Sequence, residues 1–132
     1  MRATDTVGPI LYVHNDGGAV TVSTTTAPPI GKSVVLDSPK GTDVGGAQTT
    51  LDTAMRDAGL TDAEIGAFNR AWSNDLFGRA SGREAPTRRG MIGPQDYVLF
   101  PMPASLVAGA STVTIAPTPR AVRRFMLVRL HV

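Results

Sequence analysis

Apolar residues recur two apart near both ends of the chain and three to four apart in its middle. Ile10-Leu11-Tyr12-Val13 is a short apolar run, followed by the polar His14-Asn15-Asp16-Gly17-Gly18 and the alternating Ala19-Val20-Thr21-Val22-Ser23-Thr24. Asn, Asp and Gly tolerate the positive φ that tight turns require, so this stretch predicts a β-hairpin. Ala27-Pro28-Pro29-Ile30-Gly31 ends its second strand, and Ser33-Val34-Val35-Leu36 predicts a third. From Asp37 to Gln48 the chain is rich in Gly, Pro, Asp, Ser and Thr, which predicts a loop.

The middle changes period. Leu51, Met55 and Ala58 share one helical face with Ala54 beside them, and Gly59 stands where a C′ glycine ends a helix. Thr61-Asp62-Ala63-Glu64 then spells a capping box, in which the Thr hydroxyl accepts a free amide while Glu64 reaches back. The second helix puts Ile65, Phe68, Trp72 and Leu76 on one stripe and stops at Gly78, and aromatic residues on such a stripe read as core. Gly66 inside it weakens the helix and suggests the close approach of a neighbouring element.

Beyond Gly78 the periodicity disappears. Residues 79–93 contain four Arg and three Gly and predict a loop. Tyr97-Val98-Leu99-Phe100 predicts a strand ended by Pro101-Met102-Pro103, Ala104 to Ala108 a short helical turn, and Ser111-Thr112-Val113-Thr114-Ile115 another strand stopped by Pro117-Thr118-Pro119. In the last strand, Met126, Val128, Leu130 and Val132 form an apolar face, and Phe125, Leu127, Arg129 and His131 a mixed one. Strands at both ends with helices between them predict an α+β fold: a mainly antiparallel sheet or sandwich of about six strands, with a helical hairpin inserted between strands three and four. The organisation expected is a single domain over 1–132. Within it, 1–48 form a β-hairpin and strand, 49–78 the helical hairpin, 79–93 an Arg-rich loop and 94–132 the C-terminal strands.

Composition narrows the function classes. The chain has 132 residues, 42% of them hydrophobic, enough for one domain with an ordinary core and too apolar for long disorder. It has no cysteine, which excludes a zinc knuckle, a disulfide scaffold and a thiol enzyme. No apolar run reaches the roughly 20 residues of a membrane span, and Met1 to Thr6 carries no apolar core of a secretory signal.

Net charge is +2, but it is unevenly spread. Residues 1–78 hold five basic and nine acidic side chains, a balance of −4, whereas residues 79–132 hold eight Arg against Glu84 and Asp96, a balance of +6.

Several chemical motifs can be weighed directly. Gly31-Lys32-Ser33 matches the end of a phosphate-binding loop, but Thr26 stands where that loop needs glycine, and Pro28 and Pro29 remove amides from the cradle. His14 and His131, with Asp16 as a third ligand, could hold a metal only if distant strands brought them together. No Gly-x-Ser-x-Gly elbow supports a serine hydrolase, so neither a catalytic centre, a cofactor nor a metal is expected. The helix pair 50–77 has the outline of a helix-turn-helix DNA reader, yet Asp62 and Glu64 would lead it into the groove and oppose the phosphates. The arginines are the strongest surface feature: Arg79, Arg83, Arg88 and Arg89 in the loop, and Arg120, Arg123 and Arg124 later. They suit an acidic protein partner, although a solvated loop whose Arg pair with the acidic first half also accounts for them. No aromatic is interleaved in the loop, against single-stranded nucleic acid.

From about Leu60 onward the chain resembles the C-terminal part of an uncharacterised group of bacterial, often envelope-associated, proteins. The resemblance rests on Glu64 followed by Trp72-x-x-x-x-Phe77, on Tyr97-Val98-Leu99-Phe100-Pro101, and on Ile115-x-Pro117-x-Pro119 leading to Arg123 and a last apolar strand. Residues 79–93 look like an insertion relative to that group. The resemblance implies a β-rich module outside the cytoplasm, part of a larger assembly, and brings no activity. The expected function is therefore a non-enzymatic binding or structural module acting through contact with a protein partner or with itself. The alternatives are nucleic-acid binding through the helix pair and the Arg clusters and, third, a small hydrolase.

Overall fold

A computed structural model of the chain describes residues 8–16, 19–29, 31–41, 43–77 and 95–132. Its first element is the expected hairpin, β1 (Ile10–Asn15) paired antiparallel with β2 (Val20–Thr25), Val13 opposite Val22. Asp16 secures the turn by accepting from the Ala19 amide at 2.6 Å. β3 (Gln95–Pro101) adds antiparallel to the other side of β1, and β4 (Leu127–His131) adds to β3, giving the order β2-β1-β3-β4.

Among the described residues the fold is α+β with four antiparallel strands in one sheet, not about six strands or a sandwich. The expected third strand over 33–36 is irregular, with Val35 84% exposed. The edge of β2 that it could have joined is met instead by Gly41, whose carbonyl accepts from the Val22 amide at 2.8 Å. The expected strand over 111–115 is also irregular, and both edges of β3 are already taken, by β1 and β4. Strand propensity alone does not make a strand; the segment must also be brought alongside a partner in register. The helical hairpin therefore lies between β2 and β3 in the chain.

Helix α1 (Val44–Asp57) starts within the segment predicted as a loop. Asp43 is the reason: its carboxylate accepts from the Gly46 amide at 2.7 Å and caps the helix ahead of two glycines. At the other end Gly59 adopts φ +94, its amide bonds the Arg56 carbonyl, and the Leu60 amide reaches back to Met55 at 3.1 Å. This is the glycine-terminated helix end that the sequence predicts. The capping box of α2 (Asp62–Phe77) also forms: Glu64 accepts from the Thr61 amide at 2.7 Å and its own amide bonds the Thr61 hydroxyl at 3.3 Å. A short α3 (Ala104–Ala110) follows β3 where a helical turn was expected.

Side chains that alternate along a strand choose opposite faces of the sheet. Leu11, Val13, Val22, Tyr97 and Leu99 point to the helices and join Ala47, Leu51, Met55, Ile65, Leu76 and Phe77 in one buried cluster. A polar seam joins α1 to α2: Gln48 donates to Asn69 at 2.8 Å and to Asp52 at 2.9 Å, and accepts from the Ser73 hydroxyl at 3.0 Å. That seam turns α2 toward Asn69 and Ser73, which leaves Trp72 at the edge of the contact and 51% exposed instead of in the core. Among the described residues no neighbouring element approaches Gly66; the space beside it is met only by the Arg70 guanidinium of the same helix.

Candidate functional site

The last strand turns its more polar face to the core. The mixed face of β4 looks inward: Leu127 packs against the core, and Arg129 lies flat over the Tyr97 ring, 4.2 Å from its centroid. The guanidinium then reaches Asp75 on α2 at 3.0 Å. An Arg stem with a stacked guanidinium can cover a core whose charge is carried out to an acid at the rim. The apolar face, Val128, Leu130 and Val132, looks outward, with Leu130 51% and Val132 73% exposed.

Backbone direction follows from the same register. The Val132 amide bonds the Asp96 carbonyl at 3.0 Å and the Met126 carbonyl accepts from Met102 at 2.8 Å, so the even-numbered residues turn their backbone groups to β3. Leu127, Arg129 and His131 therefore present theirs at the free edge. Among the described residues no strand pairs with that edge. Among the described residues the two sheet edges thus differ: β2 is met by Gly41 and no strand pairs with β4.

Tyr97 ties the sheet to α2 by donating its hydroxyl hydrogen bond to the Leu76 carbonyl, one of the groups that a helix end leaves without an internal partner. Burial pushes its phenol up to about 12, against the pull of Arg129 and with a further push from Asp75.

The outer face also carries a polar group, in the cross-strand row that Val132 joins. Asp96 on β3 accepts from the Tyr12 hydroxyl at 3.0 Å and pairs through its second oxygen with Nδ1 of His14. The His14 bond is the largest cause that holds the Asp96 carboxyl below its ordinary range; the bond to Asp96 raises the Tyr12 phenol. Thr21 is directly opposite His14 on β2, and its hydroxyl oxygen is buried without a partner among the described residues. His14, Tyr12 and Asp96 did not stand out together in the sequence, because 82 and 84 residues separate the acid from its partners. The register of β1 against β3 was the missing information.

His14 and His131 do not meet. β3 lies between their strands, His14 points outward, and His131 points to the helix side beside Tyr97, their ring centroids 5.9 Å apart. Among the described residues no three metal-ligating side chains gather. Gly31-Lys32-Ser33 lies in a turn closed by the Lys32 amide on the Pro29 carbonyl at 3.0 Å, with neither a helix nor the expected strand after it. No helix among the described residues is long and apolar enough to cross a membrane.

The arginines divide. Arg79, Arg83, Arg88 and Arg89 lie outside the described residues. Arg120 is exposed. Arg123 lays its stem over Gly59, where an added Cβ would sit 2.8 Å from the Arg123 Cδ. Arg124 is half-buried and donates to the Ser111 carbonyl at 2.5 Å. The three are therefore not one patch of equivalent charges: one is free in solvent, one packs against a helix end and one fastens a loop.

A half-open cleft of about 460 Å³ lies between α1 and the corner that joins β3 to α3. Thr49, Thr50, Thr53, Ala54 and Asp57 form its helical wall, and Pro9, Pro101, Met102, Pro103 and Phe125 most of the rest, with Arg124 at the side.

Comparison of the chain with family models, with curated proteins and with solved structures finds no match.

Proposed function

We propose that the chain is a non-enzymatic binding module that works through protein–protein contact, and that its partner on β4 is a second copy of itself. One observation carries this reading: on an edge strand with no partner among the described residues, Leu130 and Val132 are 51% and 73% exposed. Free strand amides and carbonyls beside an apolar row are a template for an added strand, and sheet edges left in this state are what monomeric proteins otherwise guard against.

Charge favours a second copy as the occupant. Residues 43–77 carry six acids against Arg56 and Arg70, whereas residues 111–132 carry Arg120, Arg123, Arg124 and Arg129 and no acid. The Arg129–Asp75 pair joins the two segments within one chain. Asp62, 86% exposed in its pair with Arg56, and Asp57 remain at the surface for another copy's arginines. Unlike charges on one surface suit association with itself. A subunit of a bacterial envelope assembly is the setting that the resemblance of the C-terminal half implies.

The nucleic-acid alternative is opposed by the residues that lead α2, the exposed Asp62 and a Glu64 held in place by Thr61. Light scattering after size exclusion separates the readings. The proposal expects a mass of at least two chains that falls to one chain in Leu130→Lys. A mass of one chain at all concentrations, together with duplex DNA binding at about 50 mM salt, would replace it with the alternative.

A further inference from the structure

We propose that the cleft between α1 and the β3–α3 corner is a binding site for a small apolar molecule that carries one carboxylate, with Arg124 as its anchor. The proposal does not depend on self-association through β4.

Three threonines of α1 line the cleft. The hydroxyls of Thr49, Thr50 and Thr53 each donate to the carbonyl four residues back, on Gly45, Gly46 and Thr49, all at 3.0 Å. Their hydrogens are therefore spent inside the helix, and the wall offers the cleft methyl groups and acceptor oxygens. A ligand that needs hydroxyl donors finds none there. Opposite this wall stand Phe125 and Met102, so the space is mainly apolar, of a size that suits small organic molecules.

One charged donor lines it. Arg124 gives one N–H to the Ser111 carbonyl and, among the described residues, has no carboxylate partner. A half-buried guanidinium beside apolar walls is a strong site for a carboxylate, because a fork of N–H groups matches its two oxygens and the partial loss of water strengthens the contact. Asp57, the other charged lining residue, also has no partner among the described residues, but it is exposed at the rim. Water screens it, so it selects weakly against the anion and offers little to an amine. The hydrophobic body then lies against Phe125 and Met102 with its carboxylate toward Arg124.

The test is an NMR titration of the full chain with 3-phenylpropionate, with the neutral 3-phenylpropanol and with phenylalanine. Shifts should cluster at Thr53, Ala54 and Phe125, and the acid should bind about tenfold tighter than the alcohol, as a charge-assisted contact requires. Arg124→Gln should remove that tenfold preference. Because this change also frees the Ser111 carbonyl, Ala54→Phe provides a second arm that fills the cleft from the α1 wall and leaves Arg124 in place; it should abolish binding of acid and alcohol alike. Equal affinity for acid and alcohol would overturn the anchor. Shifts elsewhere, or none at millimolar ligand, would overturn the site. Tighter binding of phenylalanine than of phenylpropionate would overturn the single-carboxylate assignment in favour of one that engages Asp57.

Discussion

The two faces of one four-stranded sheet are built on opposite terms. On the helix side, Leu11, Val13, Tyr97 and Leu99 are at most 1% exposed, and the single charge that enters, Arg129, is stacked on Tyr97 and led out to Asp75. On the outer side, Tyr12 and Val98 are buried, the His14–Asp96 pair is partly open to water, and the β4 row is bare. The first face is closed by its own chain. The second is covered over Tyr12 and Val98 and exposed at Leu130 in the same row. The lesson is that apolar side chains on a strand do not by themselves say which side is the core: on β4 the more apolar face is the one in solvent.

That contrast can be broken at graded cost. Leu51→Ala removes a side chain 1% exposed at the centre of the closed face, and a thermal or denaturant melt should register a loss of about 2–5 kcal/mol. Tyr97→Phe leaves the Leu76 carbonyl without its donor in a buried position and should cost about 1–3 kcal/mol. The same tyrosine has a pH signature. Its folded phenol ionises at about 12 against an ordinary 10.0, so its contribution is complete below pH 10 and is lost as pH rises toward 12. Stability measured across that range should fall in the native chain, and the part due to this residue should be missing in Tyr97→Phe.

On the outer face the expected changes are smaller and of different sign. Thr21→Val replaces a buried hydroxyl that has no partner with a methyl group of the same shape, so the melting temperature should rise, by up to about 1 kcal/mol of stability. A loss instead would mean that the hydroxyl has a partner in solution. Leu130→Lys changes a half-exposed side chain and should move stability by less than about 0.5 kcal/mol. Its effect should fall on the mass of the particle. Should the lysine instead unfold the chain, this row would belong to the core and the contrast between the faces would fail.

How much of this was legible beforehand follows from the range of the interactions. The hairpin, the capping box at Thr61 and Glu64, and the glycine stop at Gly59 were readable because each is settled within about six residues of chain. The start of α1 was missed because two glycines argue against a helix and only Asp43, ahead of them, argues for one. The two expected strands over 33–36 and 111–115 are irregular because neither is brought into register beside a strand, which no local pattern reports. Trp72 and the faces of β4 depended on which way partners turned: the Gln48 seam in one case, the Arg129 stack in the other. The site residues fared likewise. Arg120, Arg123 and Arg124 were visible as a cluster, but their different duties arise from Gly59 and Ser111, which are remote in sequence.

The central claim is that the free edge of β4 is a contact surface for another copy of the chain. Amide hydrogen exchange at Leu127, Arg129 and His131, followed against protein concentration, tests it most directly, because these three amides face away from β3. The account predicts that their protection rises with concentration in the native chain and stays low in Leu130→Lys, while the even-numbered β4 amides, bonded to β3, are protected in both. Fast exchange at the three edge amides at every concentration would contradict it.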